Sequence, residues 1–388
     1  MIKTNSKIIL TKIIRRDKKV IYKYKLTGAS KQFINKIPFI ISFDFNIKNV
    51  PDSILVIPFI SNLLPLCWTF NFNLFIDEID EEFYKSLGYI KNAYRDMIKT
   101  VDFNGDIVCN KVVPNKKIKS DKKIQMFSGG VDSLCTYVNH NKENLEFFYL
   151  WGSDIAYNNN DGYYTVKDFI DGIAKKERIK TNYVKSNFRD IINYDNINKI
   201  LIPLVGDNYW HCIQHGIALL GHAAIVAYVQ KASTIYIPAT CNPNFRILCA
   251  SIPEIDNQFK FTGIKTVHDG FELSRLDKVK NIVNHNKKAK NKLPLRVCWQ
   301  SLEGINCSMC EKCSRTMLEL LACGENPQNY NFRYDDEVKE NIQKIVTTSN
   351  FGGEFLDAFY IESANELKKQ KTKEFDYLIK KYKNILNK

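Results

Sequence analysis

A short glycine-containing segment follows an apolar run in the middle of the chain. Residues 124–133 read IQMFSGGVDS, in which the apolar residues predict a strand and the residues from Val131 onward predict a helix. Adjacent glycines let the backbone approach an anion closely, and the unpaired N–H groups at the start of the following helix attract it. The segment therefore predicts a phosphate-binding loop made of Ser128, Gly129, Gly130, Val131, Asp132 and Ser133.

Asp132 is the unusual member of this loop, because a carboxylate repels a polyphosphate unless a cation lies between them. We assign Asp132 to a Mg²⁺ ion or to its water shell. The alternative interpretation is a plain strand-to-helix turn in which Asp132 and Ser133 cap the helix. The loop lacks the Gly-Lys-Ser/Thr ending of a Walker A loop, so transfer of a γ-phosphate is not expected.

Four cysteines occur within sixteen residues of the segment CWQSLEGINCSMCEKC, with gaps of eight, two and two residues. Four thiolates in tetrahedral geometry with no open position describe a structural zinc site, although an iron–sulfur cluster also takes four cysteines. The candidate ligands are Cys298, Cys307, Cys310 and Cys313. The alternative for such residues is a set of buried free thiols, which is our interpretation of Cys135, Cys212, Cys249 and Cys323.

The string SGGVDS resembles the SGGxDS signature of the PP-loop ATP pyrophosphatases. This superfamily includes asparagine, GMP and NAD synthetases, tRNA-thiolating enzymes and 7-cyano-7-deazaguanine synthases. The resemblance implies a Rossmann-like parallel sheet of the adenine nucleotide alpha hydrolase type, with ATP and Mg²⁺ bound. It also implies that a substrate oxygen attacks the α-phosphate, that pyrophosphate leaves, and that an amine or sulfur nucleophile captures the adenylated intermediate.

The cysteine cluster behind such a loop resembles the zinc site of the 7-cyano-7-deazaguanine synthase family, and the resemblance covers residues 123–323. It implies adenylation of a carboxylate like that of 7-carboxy-7-deazaguanine, followed by C–N bond formation with ammonia. Two departures concern the substrate: Arg315 follows the last cysteine by two residues instead of three, and CNPNFR replaces a Tyr-Pro-Asp-Cys-Arg segment. Arg246, at the end of CNPNFR, is a candidate substrate contact.

Three alternative functions stay open. Divergent members of the same family act in antiphage defence, where a protein amine would capture the deazaguanine acyl group. A tRNA-thiolating enzyme would bind nucleic acid through a basic N-terminal domain, but the net charge of +14 does not decide this because lysine is abundant along the whole chain. A non-catalytic nucleotide-binding scaffold is disfavoured, because the loop keeps Asp132 and both serines.

Other polar residues are expected at the carboxyl edge of the sheet, where open α/β folds bind nucleotides. The string LWGSD places Trp151, Ser153 and Asp154 beside the loop. In LSRLDKV, residues 273–279, the spacing of Ser274 and Asp277 is that of a helix cap, which accounts for both residues without a function. The resemblance also brings two residues of this segment near the phosphates, namely Arg275 and, as the second choice, Lys278.

Several histidines lie in apolar or loop segments. His211 and His215 are one helical turn apart and could bind a metal, but no third ligand is near in sequence. We interpret both, together with His222, as core or hydrogen-bonded residues. For His268 and its neighbour Asp269 the sequence favours neither a role nor its absence.

The positions of these residues depend on the elements that carry them. The sequence predicts an accessory domain of mixed, β-rich structure over residues 1–118, a basic linker at 114–123, the nucleotide domain over 119–324 and a helical extension over 325–388. A protein partner would bind through the accessory domain. The strands expected are 39–45, 53–60, 68–76, 124–127, 145–151 and 234–238, and the helices expected are 80–100, 131–139 and 209–231.

Composition and processing signals narrow the class of protein. A chain of 388 residues with 45% hydrophobic and 25% charged residues is globular, which excludes collagen, low-complexity disorder and a disulfide-stapled mini-protein. The uncharged stretches 53–76 and 208–230 are predicted to be strands and a core helix, not membrane spans. The first twenty residues lack an apolar run with a cleavage site, and clustered thiolates suit a reducing compartment, so we expect a cytoplasmic protein without membrane contact.

Overall fold

The computed structural model describes residues 6–348, 354–370 and 373–386, so parts of the predicted C-terminal extension lie outside the described residues. The described residues form eleven strands: β1 (Lys7–Arg16), β2 (Lys19–Thr27), β3 (Phe39–Phe43), β4 (Asn73–Asp80), β5 (Asp106–Val113), β6 (Lys123–Met126), β7 (Leu145–Trp151), β8 (Thr181–Ser186), β9 (Thr234–Pro238), β10 (Lys260–Phe261) and β11 (Ile264–Asp269).

Helices cover both faces of the sheet and form the C-terminal part of the chain. They are α1 (Ser30–Phe33), α2 (Asp52–Leu55), α3 (Ile57–Phe70), α4 (Glu81–Met97), α5 (Val131–His140), α6 (Asn160–Glu177), α7 (Tyr194–Val205), α8 (His215–Val229), α9 (Pro253–Asp256), α10 (Arg275–Lys288), α11 (Glu311–Ala322), α12 (Asp336–Thr348), α13 (Glu354–Gln370), α14 (Asp376–Lys381) and α15 (Lys383–Leu386). A π-helix, Trp210–Gln214, leads directly into α8.

The strands form one continuous sheet in the order β10-β11-β9-β6-β7-β8-β3-β2-β1-β4-β5. Its middle part is parallel, with β6 between β7 and β9. Helices connect these strands, as parallel neighbours require, because a tight hairpin cannot join them. The protein is therefore an α/β protein with a mostly parallel sheet, as the sequence predicted.

The strands of residues 1–118 extend this same sheet. β3 pairs antiparallel with β8, so that Ile41 lies opposite Ser186. Helix α3 packs closely on α8: a Cβ on Gly221 would lie 2.6 Å from Cβ of Ser61. The predicted boundary near residue 118 thus falls within one sheet and one hydrophobic core, and the division into domains stays a prediction.

The predicted strand over residues 53–60 is wrong, because this stretch forms α2 and the first turn of α3. The run is buried on all sides, so it lacks the one-sided periodicity that separates a helix from a strand. The strand predicted to begin at residue 68 begins at Asn73 instead, after α3 ends at a left-handed Asn71 with φ 58°. The predictions for α4, α5, β7 and β9 are confirmed.

The long apolar segment after α7 is a core helix. Within the described residues, Trp210–Val229 is the one helix whose length and composition would let it cross a membrane. In the structure, 78% of the apolar 18-residue stretch of this helix is buried inside the protein. This burial agrees with the predicted core helix.

Histidine pairing at the end of α5 should make stability depend on pH. His140 Nε2 lies 2.8 Å from Asp269 Oδ1, at the end of β11, and Nδ1 lies 2.7 Å from Glu143 Oε1. The hydrogen bond with Asp269 raises the pKa of His140 from 6.5 to about 9, although burial opposes this. A raised pKa contributes stability that is present below pH 6.5 and is lost as the pH rises through about 9.

We therefore expect the free energy of unfolding, measured by urea titration, to decrease between pH 6.5 and pH 9. The variant His140→Gln should show a smaller decrease over the same interval. Equal slopes in the two proteins would show that this contact contributes no linkage.

Candidate functional site

The predicted phosphate loop connects β6 to α5 at the carboxyl edge of the sheet. Gly129 has φ +80°, and a Cβ at this position would lie 2.3 Å from Cε1 of Phe169. The Ser133 hydroxyl donates to the Gly130 carbonyl at 3.1 Å, and the Gly130 N–H donates to Ser128 Oγ at 3.4 Å. The hydroxyls therefore hold the loop in a tight turn whose helix N-terminus can face an anion.

The conformation of Gly129 gives a first test of the loop. We expect Gly129→Ala to destabilise the protein by about 1–3 kcal/mol, because the added Cβ meets both a positive φ and a ring. Gly172, within α6, is the matched control because a Cβ there meets nothing within 4 Å. Gly172→Ala should stabilise slightly, and thermal unfolding of both variants compares them; a neutral Gly129→Ala would contradict the turn as described.

Asp132 lies at the centre of a group of cations. Lys278 Nζ is 3.3 Å from its Oδ1 and Arg275 Nη1 is 3.7 Å from its Oδ2, and both cationic side chains are only 2% exposed. Burial opposes ionisation of Asp132, but the charges of Lys278, Arg275 and Lys312 outweigh it and lower the carboxyl pKa. Three positive charges thus act on one carboxylate.

Arg275 also joins α10 to α11 beneath the loop. Its Nε lies 3.0 Å from Glu319 Oε1, and its Nη2 donates to Thr316 Oγ1 at 3.0 Å. Burial raises the pKa of Glu319 to about 7. The predicted cap of α10 is confirmed, since Ser274 Oγ accepts from the backbone N–H three residues on at 3.2 Å.

Arg296 binds the loop from the opposite side. Its backbone N–H donates to the Gly129 carbonyl at 2.8 Å and its Nη1 donates to the Ser128 carbonyl at 3.3 Å. Its Nη2 donates to Asp154 Oδ2 at 3.0 Å, and its Nε donates to the Gly304 carbonyl at 2.8 Å. Arg296 and Lys312 were not predicted from the sequence, and their only local signal is proximity to the cysteine segment.

The residues after β7 lie beside the loop, as expected. Burial opposes ionisation of Asp154, but the charge of Arg296 outweighs it and lowers the carboxyl pKa. The Ser153 carbonyl accepts from Arg189 Nη1 at 3.1 Å. Trp151 is buried and stacks on Tyr163 with centroids 3.9 Å apart. Contacts of Trp151, Ser153 and Asp154 with a nucleotide or substrate stay predictions.

The side chain of Arg246 contacts residues outside the loop. It forms an exposed ion pair with Glu254 at 2.8 Å, and its guanidinium lies over the Phe271 ring at 4.9 Å. A contact between Arg246 and the substrate stays a prediction.

Each of the three histidines predicted to be core or hydrogen-bonded residues, His211, His215 and His222, has a polar neighbour. His222 Nε2 lies 2.8 Å from Ser186 Oγ, and His211 pairs with Asp207. His215 Nδ1 lies 3.8 Å from the sulfur of Cys249. His268 is buried, with Nδ1 2.8 Å from a carboxylate oxygen of Asp256.

The four clustered cysteines converge as a ligand set. Their sulfur atoms all lie within 4.8 Å of one another. Cys298 and Cys310 are 3.8 Å apart, and Cys307 and Cys313 are 3.9 Å apart. Four sulfurs at about 2.3 Å from a common tetrahedral centre would be separated by about 3.8 Å. The cluster could therefore hold a metal such as zinc.

The thiolate form is favoured at one of the clustered cysteines, Cys310, whereas burial raises the pKa of Cys307 and the hydrogen bond with Cys310 raises that of Cys313. The backbone N–H groups of Met309 and Cys310 donate to the Cys307 sulfur at 3.4 and 3.3 Å. A hydrogen bond from Cys313 is the largest cause that lowers the pKa of Cys310 to about 5. Metal ligation requires such deprotonated sulfur.

The cysteine cluster and the phosphate loop share structural supports. Cys310 is the N-terminal cap of α11, whose residue Lys312 acts on Asp132. Cys298 is two residues from Arg296, which binds the loop. Metal binding by the cluster should therefore hold Lys312 and Arg296 in place beside the loop.

No protein-family model matches the chain, and a comparison with curated proteins finds no match either. The resemblance to PP-loop enzymes therefore rests on SGGVDS and the four cysteines, and it stays a prediction.

Proposed function

We propose that the protein is an ATP pyrophosphatase-type ligase. It would adenylate a carboxylate like that of 7-carboxy-7-deazaguanine and transfer the acyl group to an amine, with release of pyrophosphate and AMP. The observation that carries this proposal is the convergence of Lys278, Arg275 and Lys312 on Asp132 in a glycine turn at a helix N-terminus.

The strand order supports the proposal. The parallel strands read β8-β7-β6-β9-β11, which is the order third, second, first, fourth and fifth along this part of the chain, as in a Rossmann-like sheet. Ligands of such sheets bind where the order reverses, which here is between β6 and β9. Lys278 spans that position, because it donates to the carbonyl of Ala239, after β9, and contacts Asp132, after β6.

The chemistry assigned to the loop is stabilisation of a leaving group. The N–H groups at the start of α5 and the hydroxyls of Ser128 and Ser133 would bind the two outer phosphates of ATP. The three cations would offset the negative charge that grows on pyrophosphate as the bond to the α-phosphorus breaks. Mg²⁺ binding fits the site, because Asp132 offers one carboxylate that is 20% exposed and the phosphates would supply the other oxygens.

The acyl transfer balances in two steps. A carboxylate oxygen of the substrate bonds to the α-phosphorus and pyrophosphate leaves. The amine then bonds to the carboxyl carbon, AMP leaves with the attacking oxygen, and the amine nitrogen loses a proton to solvent.

A zinc ion bound by Cys298, Cys307, Cys310 and Cys313 would have a structural role. Four sulfur ligands leave no position for substrate. The ion would hold the start of α11 and the segment that carries Arg296 against the loop.

The cysteines near the loop that lie outside the four-cysteine cluster favour an amine acceptor over sulfur transfer. Burial raises the pKa of Cys135 to about 12, and burial also raises that of Cys241. A thiolating enzyme needs a reactive thiolate, which requires a lowered pKa. We therefore propose C–N bond formation, with ammonia or a protein amine as the acceptor.

Mass spectrometry tests the function and its acceptor. Reactions would contain ATP, Mg²⁺ and 7-carboxy-7-deazaguanine, with ammonia in one arm and a candidate partner protein in the other. In the first arm we expect one AMP and one pyrophosphate for each amide, or two of each for each nitrile, because a second ATP is needed to dehydrate the amide. In the second arm we expect one AMP and one pyrophosphate for each deazaguanine-sized mass increase on the partner. ADP as the product, or no cleavage of ATP in either arm, would contradict the proposal.

A further inference from the structure

A second cationic position lies at the same sheet edge as the phosphate loop. Arg189 follows β8, and its guanidinium lies 4.3 Å from the centroid of the Trp210 ring and 5.4 Å from that of Tyr194. Its Nη1 donates to the Ser153 carbonyl at 3.1 Å. None of these three partners carries a negative charge, and the carboxylate of the exposed neighbour Asp190 also interacts with the charge of Arg189.

Trp210 is the first residue of the π-helix before α8, and neighbouring contacts hold it in place. The carbonyl of His211 in this π-helix accepts from the Ala250 N–H at 2.8 Å, which ties the helix to the segment after β9. The ring of His215 meets that of Trp210 edge-on, with centroids 5.0 Å apart. π-Helical turns occur frequently at functional sites, because they place side chains where an α-helix would not.

His215 lies next to Trp210 in this group. Burial, aided by the charges of His211, Arg189 and Lys312, lowers the pKa of His215 to about 4. His215 is therefore neutral near pH 7, and it feels the charges of both Arg189 and Lys312. Arg189, Trp210 and His215 thus form one group of neighbouring side chains.

Hydrogen bonds link Arg189 to the phosphate loop, because Arg296 joins the Ser128 carbonyl to Asp154 and Arg189 binds the carbonyl of the preceding residue, Ser153. Neighbouring strands lie about 4.8 Å apart, and the guanidinium of Arg189 reaches Ser153, after β7, which is the strand next to β6. The loop cations are already directed at Asp132, whereas Arg189 is separate from them. A guanidinium held flat on an indole loses little entropy when it forms paired hydrogen bonds to a carboxylate.

We infer that Arg189, held on Trp210, binds the carboxylate of the acid substrate and directs its free oxygen at the α-phosphate of ATP. This inference rests on the proposed function and assigns a substrate-binding residue to it. The aromatic rings around Arg189 favour a planar acid over an aliphatic one. The test must therefore separate recognition of the acid from recognition of ATP.

The experiment compares Arg189→Ala, Arg189→Lys and wild type in two measurements. Calorimetry measures binding of 7-carboxy-7-deazaguanine and, separately, of ATP with Mg²⁺, and steady-state assays give the KM of each. We expect Arg189→Ala to weaken acid binding and raise its KM roughly 10- to 100-fold, with ATP binding changed less than about twofold. Added guanidinium should restore part of the loss, and Arg189→Lys should be intermediate.

Arg333→Ala is the matched control, because that arginine is half exposed and pairs with surface acids. Unchanged acid binding in Arg189→Ala, equal losses for acid and ATP, or no acid binding by the wild type would overturn the inference. Acid binding by the wild type without release of pyrophosphate would instead contradict the proposed function, and the binding comparison at Arg189 would still decide the inference.

Discussion

Replacing Asp132 with asparagine should reduce pyrophosphate release by about 100-fold or more, because the loop loses its Mg²⁺ ligand while the shape of the side chain is kept. The same change should strengthen binding of pyrophosphate in the absence of Mg²⁺. This second effect follows because Asp132→Asn removes a negative charge that lies beside Lys278 and Arg275 and acts on Lys312. Opposite changes in turnover and in metal-free binding would distinguish an anion site from a structural ion pair.

The measurements are a coupled pyrophosphate assay and calorimetry with pyrophosphate, with and without Mg²⁺. Asp277→Asn is the matched control, because Asp277 is an exposed residue of the first turn of α10. It should leave both quantities unchanged. If Asp132→Asn kept wild-type turnover, or if it bound pyrophosphate more weakly without metal, the assigned role of Asp132 would be wrong.

Loss of one clustered cysteine should unfold the region around the loop. Structural zinc contributes apparent binding energies of about 10–16 kcal/mol in zinc-finger peptides. We expect Cys310→Ser to lose the metal, to destabilise the protein by more than about 3 kcal/mol, and to abolish activity, because α11 and Arg296 both depend on the cluster. Metal analysis, visible absorption and thermal unfolding measure these effects, and the absorption separates zinc from an iron–sulfur cluster.

Cys109→Ser provides the control for this prediction, because Cys109 is a partly buried thiol of β5 that lies outside the cluster. It should keep both metal and stability. A Cys310→Ser protein that melts with the wild type and holds one metal ion per chain would show that the cluster is not a metal site.

Local patterns predicted the elements that carry the site. The strand β7, the loop and α5 were expected from an apolar run, a glycine turn and an amphipathic helix, each of which is encoded within a few residues. The convergence of the cysteines followed from spacing alone. These features could be predicted because their geometry depends on near neighbours in the chain.

Features that depend on long-range packing could not be predicted. The apolar run 53–60 forms helix because it is buried against α8, and its sequence carries no one-sided pattern. The pairing of β3 with β8 joins segments more than a hundred residues apart. Arg296, Lys312 and Arg189 reach the site through the fold, and no motif around them identifies their partners.

Transfer of labelled oxygen tests the central claim most directly. The substrate would be 7-carboxy-7-deazaguanine with both carboxylate oxygens replaced by ¹⁸O, supplied with ATP, Mg²⁺ and ammonia or a partner amine. If the carboxylate attacks the α-phosphate and an amine displaces AMP, mass spectrometry will find one ¹⁸O atom in the AMP and none in the pyrophosphate. Unlabelled AMP, or ADP with label in inorganic phosphate, would contradict adenylation of the acid by this protein.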